Sequence, residues 1–236
     1  MGIYSNQKLS KTLRIVTNPK ESETNYYNII YEYIDSFPVN LIIIASVVPA
    51  ISDIFRNIFS NNIKIPHFFV TANTPLGIVY PVEDPSFIGA DLVVNVYSAW
   101  KKYNKNCIII DLGTATTVQL IDINGKYYGA SILPGVLSAT NGLINNAAKL
   151  SGINIENTDI LLGKNTKEAL LSGCVIGHAF AIEGYIKRIK EDYSNLENII
   201  TIATGGFANL ISRQTNMIDI LDETLTLDGL YLIGSI

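Results

Sequence analysis

The residues best suited to chemistry lie together between Asp111 and Thr117, where the sequence reads D-L-G-T-A-T-T. The isoleucines before Asp111 are typical of a buried strand, so the carboxylate is expected where that strand ends. Gly113 has no Cβ and lets the backbone approach a ligand, and main-chain N–H groups with threonine hydroxyls suit phosphate oxygens. A carboxylate repels a phosphate unless a cation lies between them, so Asp111 predicts a bound metal ion. An ordinary β-turn is the alternative at this point.

The composition limits the classes of partner. The chain has 236 residues, 48% of them hydrophobic, which is enough for one large or two small cores. The net charge is -4 and no basic patch stands out, so nucleic acid is not an expected partner. Cys107 and Cys174 lie in apolar surroundings and are typical of buried thiols in a reducing cytoplasm. No apolar run reaches membrane-spanning length and no signal-peptide pattern opens the chain, so no membrane partner is expected.

Alternating strand and helix patterns predict an α/β protein. The predicted strands cover 2–4, 9–16, 41–45, 68–71, 108–110, 118–123, 126–132 and 199–203. The predicted helices cover 21–37, 51–60, 90–102, 136–150, 167–192 and 225–233. A tight hairpin turn is expected at Asn124-Gly125.

The two halves of the chain resemble each other. Residues 1–15 match 118–132 as hairpins with asparagine at the turn, and I-I-I-A-S-V-V-P later matches I-T-I-A-T-G-G-F. The repeat predicts two domains, 1–104 and 105–236, with a ligand in the cleft between them. Only the second copy is preceded by I-I-I-D-L-G-T-A-T-T. A strand with its own phosphate turn is therefore expected before Met1: either the true start lies upstream or the first domain has lost its central strand.

Eight segments, in this order and spacing, resemble the type III pantothenate kinases. They are A-S-V-V-P at 45–49, Y-P-V-E-D-P-S-F-I-G-A-D at 80–91, D-L-G-T-A-T-T at 111–117, L-P-G at 133–135, A-A-K-L at 147–150, I-L-L-G-K-N-T at 160–166, A-T-G-G at 203–206 and L-T-L-D-G-L at 225–230. The resemblance implies two RNase H-like domains of the actin-like ATPase superfamily, with mixed sheets facing a cleft. It also implies transfer of the γ-phosphoryl group of ATP to pantothenate, the first step toward coenzyme A. Mg²⁺ with the nucleotide, a potassium or ammonium ion, and a homodimer are implied as well.

The resemblance assigns roles to individual residues. Asp91 matches the general base, and its alternative is an acidic residue that stabilises a helix N-terminus. Asp111 matches the monovalent-cation ligand. The substrate-contacting positions match Tyr80, Gly89, Ala90, Asp91, Leu92 and Thr166, and Thr166 also suits a helix N-cap. The ATP-contacting positions match Gly113, Thr114, Gly205 and Gly206, the last two at the nucleoside end.

Two departures from the family pattern leave alternatives open. The family continues G-A-D with arginine, which suits a carboxylate, whereas this chain has Leu92, and the first phosphate turn is missing. The first hypothesis is a pantothenate kinase, and the second is a non-catalytic relative that binds nucleotide or regulates a partner. A third is a kinase for a neutral substrate similar to pantothenate. His178 is predicted to be a core or interface histidine rather than a catalytic one.

Overall fold

The computed structural model describes residues 1–145 and 153–236, and their contacts divide into two compact units. Unit 1 consists of residues 1–77, 82–98 and 226–236. Unit 2 consists of residues 78–81 and 99–225. These units are clusters of contacts, and the predicted domain boundary after residue 104 stays a prediction.

The elements alternate along the chain as the sequence predicts. The strands are β1 Gly2–Ser5, β2 Lys8–Thr12, β3 Ile42–Ile44, β4 His67–Phe69, β5 Cys107–Leu112, β6 Ala115–Ile121, β7 Tyr127–Pro134, β8 Ile200–Thr204 and β9 Ile220–Leu221. The helices are α1 Glu23–Ile34, α2 Pro49–Asn57, α3 Ala90–Tyr103, α4 Val136–Asn145, α5 Thr166–Leu171, α6 Gly177–Asp192, α7 Ala208–Ser212 and α8 Leu225–Gly234.

Unit 2 contains a five-stranded mixed sheet in the order β7-β6-β5-β8-β9. The central strand β5 is antiparallel to β6 and parallel to β8. Ile108, Ile110 and Leu112 pack into the main core cluster with helix α6, while Ile109, which points to the other face, is also 0% exposed. The predicted buried strand before the phosphate turn is confirmed, since burial on both faces is what a continuous apolar run indicates.

Unit 1 contains two separate two-stranded sheets, β1-β2 and β3-β4. The first is an antiparallel hairpin whose turn places Asn6 and Gln7 at positive φ, and the second is a parallel pair. The repeat pairs β1 with β6 and β3 with β8. Among the described residues, unit 1 has no strand corresponding to β5.

Several elements differ from the predicted ones. The predicted helix 167–192 is interrupted by a π-helical turn at Ser172–Ile176, and α2 continues into another at Ile58–Ile63. Strand β9 and helix α7 were not predicted because two and five residues are too short to show a hydrophobic period. The predicted helix 136–150 is present as α4, and its remainder, including A-A-K-L at 147–150, lies outside the described residues.

The helical segment Thr166–Asp192, counted with its π-helical turn, is long and apolar enough to cross a membrane by length and composition alone. It has 27 residues, and half of its most apolar window is buried inside the protein. Ile182 and Ile186 lie in the core of unit 2, which is how a core helix of this length becomes apolar. The absence of a membrane partner stays a prediction.

Candidate active site

The phosphate turn of unit 2 begins where strand β5 ends. Asp111 is half-buried and pairs in register with Thr204 at the end of the parallel strand β8. The N–H of Gly113 donates to the carbonyl of Ala115 at 3.0 Å, which closes the turn into β6. Thr114, at the tip of the turn, is exposed. The predicted contact of Thr114 with a phosphate oxygen stays a prediction.

Gly205 lies directly against the carboxylate of Asp111. A Cβ at Gly205 would be 2.5 Å from Asp111 Oδ1 and 2.7 Å from the backbone of Leu112, and the residue has a φ of +95°. Only glycine fits this close approach without strain. Gly206 follows as an exposed residue. The structure thus brings together the cation-ligand candidate and the two glycines assigned to ATP.

Two further residues that were not predicted as site residues hold the turn in place. The N–H of Gly135 donates to the carbonyl of Thr114 at 3.2 Å, and the Ser138 hydroxyl donates to the same carbonyl at 2.6 Å. A Cβ at Gly135 would collide with the carbonyl oxygens of Gly113 and Thr114. The L-P-G segment at 133–135 was the one sequence signal for Gly135. Nothing in the local sequence, however, indicates that this segment contacts the phosphate turn.

The donor set at Asp111 fits a monovalent rather than a divalent cation. In residues 1–145 and 153–236, no group of three or more His, Cys, Asp or Glu side chains could hold a metal ion. Divalent ions in all-protein sites are held by several carboxylate, thiolate or imidazole ligands. The half-buried carboxylate of Asp111 offers hard oxygen donors with a single negative charge, and the exposed Thr114 follows it in the same turn.

His178 lies against the strand that leaves the phosphate turn. Its Nε2 is 2.9 Å from the Oγ1 of the buried Thr116, and burial lowers the pKa of the imidazole from its ordinary value. The ring is consequently neutral near pH 7 and anchors helix α6 to β6. This placement is that of a histidine packed inside unit 2.

The stability of the protein is expected to depend on the protonation of His178. Because the folded-state pKa lies below the unfolded value of 6.5, the unfolded chain takes up the proton first as the pH falls. Stability is full above 6.5 and is lost as the pH falls from there toward the folded-state pKa. Urea unfolding across this pH range measures the loss of unfolding free energy. The variant His178→Gln, whose amide can replace the contact with Thr116, should show a weaker dependence of that free energy on pH. Parallel profiles for parent and variant would contradict this role.

In unit 1, helix α3 begins at the predicted catalytic loop. Asp91 is half-buried in its first turn, and its Oδ1 accepts the N–H of Leu92 at 2.8 Å. A Cβ at Gly89 would be 2.6 Å from Asp91 Oδ1 and 3.2 Å from Val47, so glycine makes room for the carboxylate. Ala90 is buried, at 6% exposure. The helix-stabilising role of Asp91 therefore uses Oδ1 and is compatible with a chemical role for the same carboxylate.

Tyr80 belongs to unit 2 because the main chain of its neighbour Val79 pairs with the β6-β7 hairpin. Val79 donates to the carbonyl of Gly125 and accepts the N–H of Tyr127, both at 2.9 Å. The Tyr80 ring meets the Tyr127 ring edge-on, and its buried hydroxyl has no partner among the described residues. Burial raises the pKa of Tyr80 to about 12, so the phenol stays neutral and can donate a hydrogen bond.

Thr166 is not the N-cap of the following helix, and that part of the prediction was wrong. The N-cap is Asn165, whose side-chain oxygen accepts the N–H of Glu168 at 3.0 Å, and Thr166 is the first residue of α5. The side chain of Asn165 reaches the third helical residue with the same geometry that a threonine would use. The Thr166 hydroxyl is exposed and is left for other contacts.

Comparisons with known proteins identify the family of the chain. The family model for type III pantothenate kinase matches residues 1–188. A type III pantothenate kinase from Exiguobacterium sibiricum is 35% identical and one from Bacillus cytotoxicus is 34% identical, each over 99% of this chain and over 93% and 90% of the relative. Among solved structures, a Campylobacter jejuni protein named for the Baf family of transcriptional activators matches with a TM-score of 0.56, 17% identity and 87% of each chain covered. The ethanolamine utilization protein EutJ from Carboxydothermus hydrogenoformans matches with a TM-score of 0.50, 13% identity, and 96% of this chain and 79% of that chain covered.

These likenesses and the mixed five-stranded sheet confirm the α/β fold class that the family resemblance implies. The structural matches are below 25% identity and therefore concern the fold alone. The family follows from the sequence matches, which extend over nearly the whole chain. On this evidence the chain belongs to the type III pantothenate kinase family, and it is a kinase.

Proposed function

We propose that this protein transfers the γ-phosphoryl group of ATP to the hydroxyl group of pantothenate, giving 4'-phosphopantothenate for coenzyme A synthesis in the cytoplasm. The observation that carries the proposal is the packing of Gly205 against Asp111. It joins the D-L-G-T turn and the A-T-G-G loop into one surface of small residues, hydroxyls and a single carboxylate. Such a surface accommodates a polyphosphate with its cation.

Each residue of the proposed site has a distinct part in the reaction. Phosphoryl transfer depends on positioning and charge neutralisation, so Asp91 need only orient the acceptor hydroxyl and take its proton. The Thr114 hydroxyl contacts a phosphate oxygen, and Gly205 and Gly206 leave room for the nucleoside. Asp111 would hold a potassium or ammonium ion, and Mg²⁺ bound with ATP supplies further positive charge to the phosphates.

The remaining site residues are proposed to bind the acceptor. The neutral Tyr80 hydroxyl and the exposed Thr166 hydroxyl can donate to its amide and hydroxyl oxygens. Gly89 and Ala90 are small, so the main chain at these positions can come close to the acceptor. A homodimer is part of the proposal through family membership.

The proposal is tested by ADP release in potassium buffer with and without pantothenate. ADP release that depends on pantothenate, and that falls when sodium replaces potassium, supports the kinase and the role of Asp111. Binding of ATP without turnover of pantothenate would favour the second candidate, a nucleotide-binding regulatory relative. That candidate is favoured by Leu92, which cannot pair with a carboxylate, and by the two separate sheets of unit 1.

Leu92→Arg is expected to lower the KM for pantothenate by roughly tenfold to a hundredfold. A charge-assisted pair with the substrate carboxylate contributes about 1.5–3 kcal/mol, and Leu92 is only half-buried, so a longer polar side chain can reach solvent. Steady-state ADP release at varied pantothenate measures the change. The matched substrate is a pantothenamide, whose neutral amide should gain nothing from the arginine. Should the parent already prefer the pantothenamide, the natural acceptor is a neutral analogue.

A further inference from the structure

A groove of about 500 Å³ runs through unit 1 between strands β1 and β3. The two strands belong to different sheets, and among the described residues each pairs on one side only, β1 with β2 and β3 with β4. Residues of both strands line the groove, together with residues of helices α1 and α8. The groove is therefore bounded by two strand edges and two helices.

The pairing of β1 with β2 and of β3 with β4 shows which main-chain N–H and C=O groups point away from those partner strands. Met1 and Leu13 exchange both of their main-chain hydrogen bonds, so the N–H and C=O of Gly2 point away from β2. Ile42 donates to Pro66 in the β4 segment, and the carbonyl of Ile44 accepts from Val70. Strand alternation then directs the N–H and C=O of Ile43 away from β4. Both free edges carry donors and acceptors in strand geometry.

Helix α8 covers one face of the groove by contacting both strands. The Tyr231 ring stacks on that of Tyr4 in β1 at 4.5 Å, and a Cβ at Gly2 would be 3.2 Å from Leu227. On β3, the side chain of Ile43 lies 2.9 Å from the position of a Cβ at Gly234. A single helix thus spans the gap that separates the two sheets.

Helix α1 covers the opposite face. Its Ile30 and Ile34 pack with Ile42 and Ile44 of β3 in one core cluster, and its Tyr33 hydroxyl donates to the carbonyl of Lys11 in β2 at 2.8 Å. With a helix on each face and a strand edge on each side, the groove has the environment of an interior strand. Such strands carry apolar side chains on both faces.

Unit 2 shows what fills the corresponding position. There β5 lies between β6 and β8, antiparallel to the first and parallel to the second, and its Ile108, Ile109 and Ile110 are 0% exposed. By the sequence repeat β6 corresponds to β1, and β8 corresponds to β3. We propose that the groove of unit 1 binds one extended polypeptide strand, antiparallel to β1 and parallel to β3, with apolar side chains on both faces. This is a strand-binding site beyond the catalytic function proposed above.

The probe is a synthetic peptide with residues 106–113 of this chain, Cys107→Ser and an added C-terminal Lys-Lys for solubility. Titration of the full chain with this peptide should give saturable one-to-one binding and raise the melting temperature. Hydrogen exchange should slow at Ile43 and in β1, and should stay unchanged at the edge strands β7 and β9 of unit 2. The matched control is the same peptide with Ile109→Pro, which removes an N–H from the ladder and should bind at least about tenfold more weakly.

Other outcomes overturn the proposal. Absence of saturable binding or equal affinity of the two peptides would show that the groove takes no strand. Slower exchange at β7 or β9 without any change at β1 and Ile43 would show that the peptide binds to unit 2 instead. Formation of dimers that the peptide dissociates would assign the groove to a second copy of the chain. The variant Ile43→Pro removes the N–H on the free edge but no bond to β4, and should weaken binding of the first peptide by about tenfold. Unchanged binding to a folded Ile43→Pro variant would also contradict the proposal.

Discussion

Replacing Asp91 by asparagine is expected to lower the kcat of pantothenate phosphorylation by roughly a hundredfold or more. Asparagine has the same shape but cannot accept the proton of the acceptor hydroxyl, and general base catalysis contributes about 10²–10⁴ in rate. Its side-chain oxygen can still accept the N–H of Leu92, so the start of α3 should be retained. Coupled ADP-release kinetics measure the rate, and calorimetric titration measures ATP affinity, which should not change.

The matched control is Asp53→Asn in helix α2 of the same unit. Asp53 is 72% exposed and pairs with the exposed Arg56, an interaction that contributes little to stability. This variant should turn over at the parental rate. If Asp91→Asn and Asp53→Asn are equally active, Asp91 is a helix-stabilising residue and not the base.

Gly205→Ala is expected to impair folding and ATP binding together. The residue has a φ of +95°, and a non-glycine residue in such a region costs about 1–3 kcal/mol. The added Cβ would also lie 2.5 Å from Asp111 Oδ1 and 2.7 Å from the backbone of Leu112, and backbone cannot move aside as the end of a flexible side chain can. The phosphate turn must shift, and a displacement of about 1 Å in a catalytic constellation can lower the rate by roughly a hundredfold.

Thermal unfolding and ATP titration test this expectation against Gly184→Ala. Gly184 lies in helix α6, and a Cβ there would meet nothing within 4 Å. Alanine in an exposed helix interior stabilises by about 0.5–1 kcal/mol relative to glycine, so the control should melt higher and bind ATP normally. Similar melting temperatures and ATP affinities for the two variants would show that the contact between Gly205 and Asp111 is not needed for the site.

Local sequence chemistry was sufficient for the elements that carry the site. The apolar run before Asp111 predicted β5, and the Asp/Gly/Thr pattern predicted the turn, since burial period and turn chemistry act over a few residues. The position of Asp91 in the first turn of α3 followed in the same way. The repeat between the halves matched β1 with β6 and β3 with β8, because it compares local patterns at two places in one chain.

The tertiary structure alone decided how distant segments meet. Gly205 follows Asp111 by about ninety residues, and only the parallel register of β5 and β8 places the two side by side. Packing likewise placed Gly135 under the phosphate turn, held Tyr80 against the β6-β7 hairpin, and gave the N-cap of α5 to Asn165 rather than Thr166. The physical reason is that a hydrophobic pattern fixes which face of a strand is buried, whereas strand order and register depend on the fit of whole elements against one another.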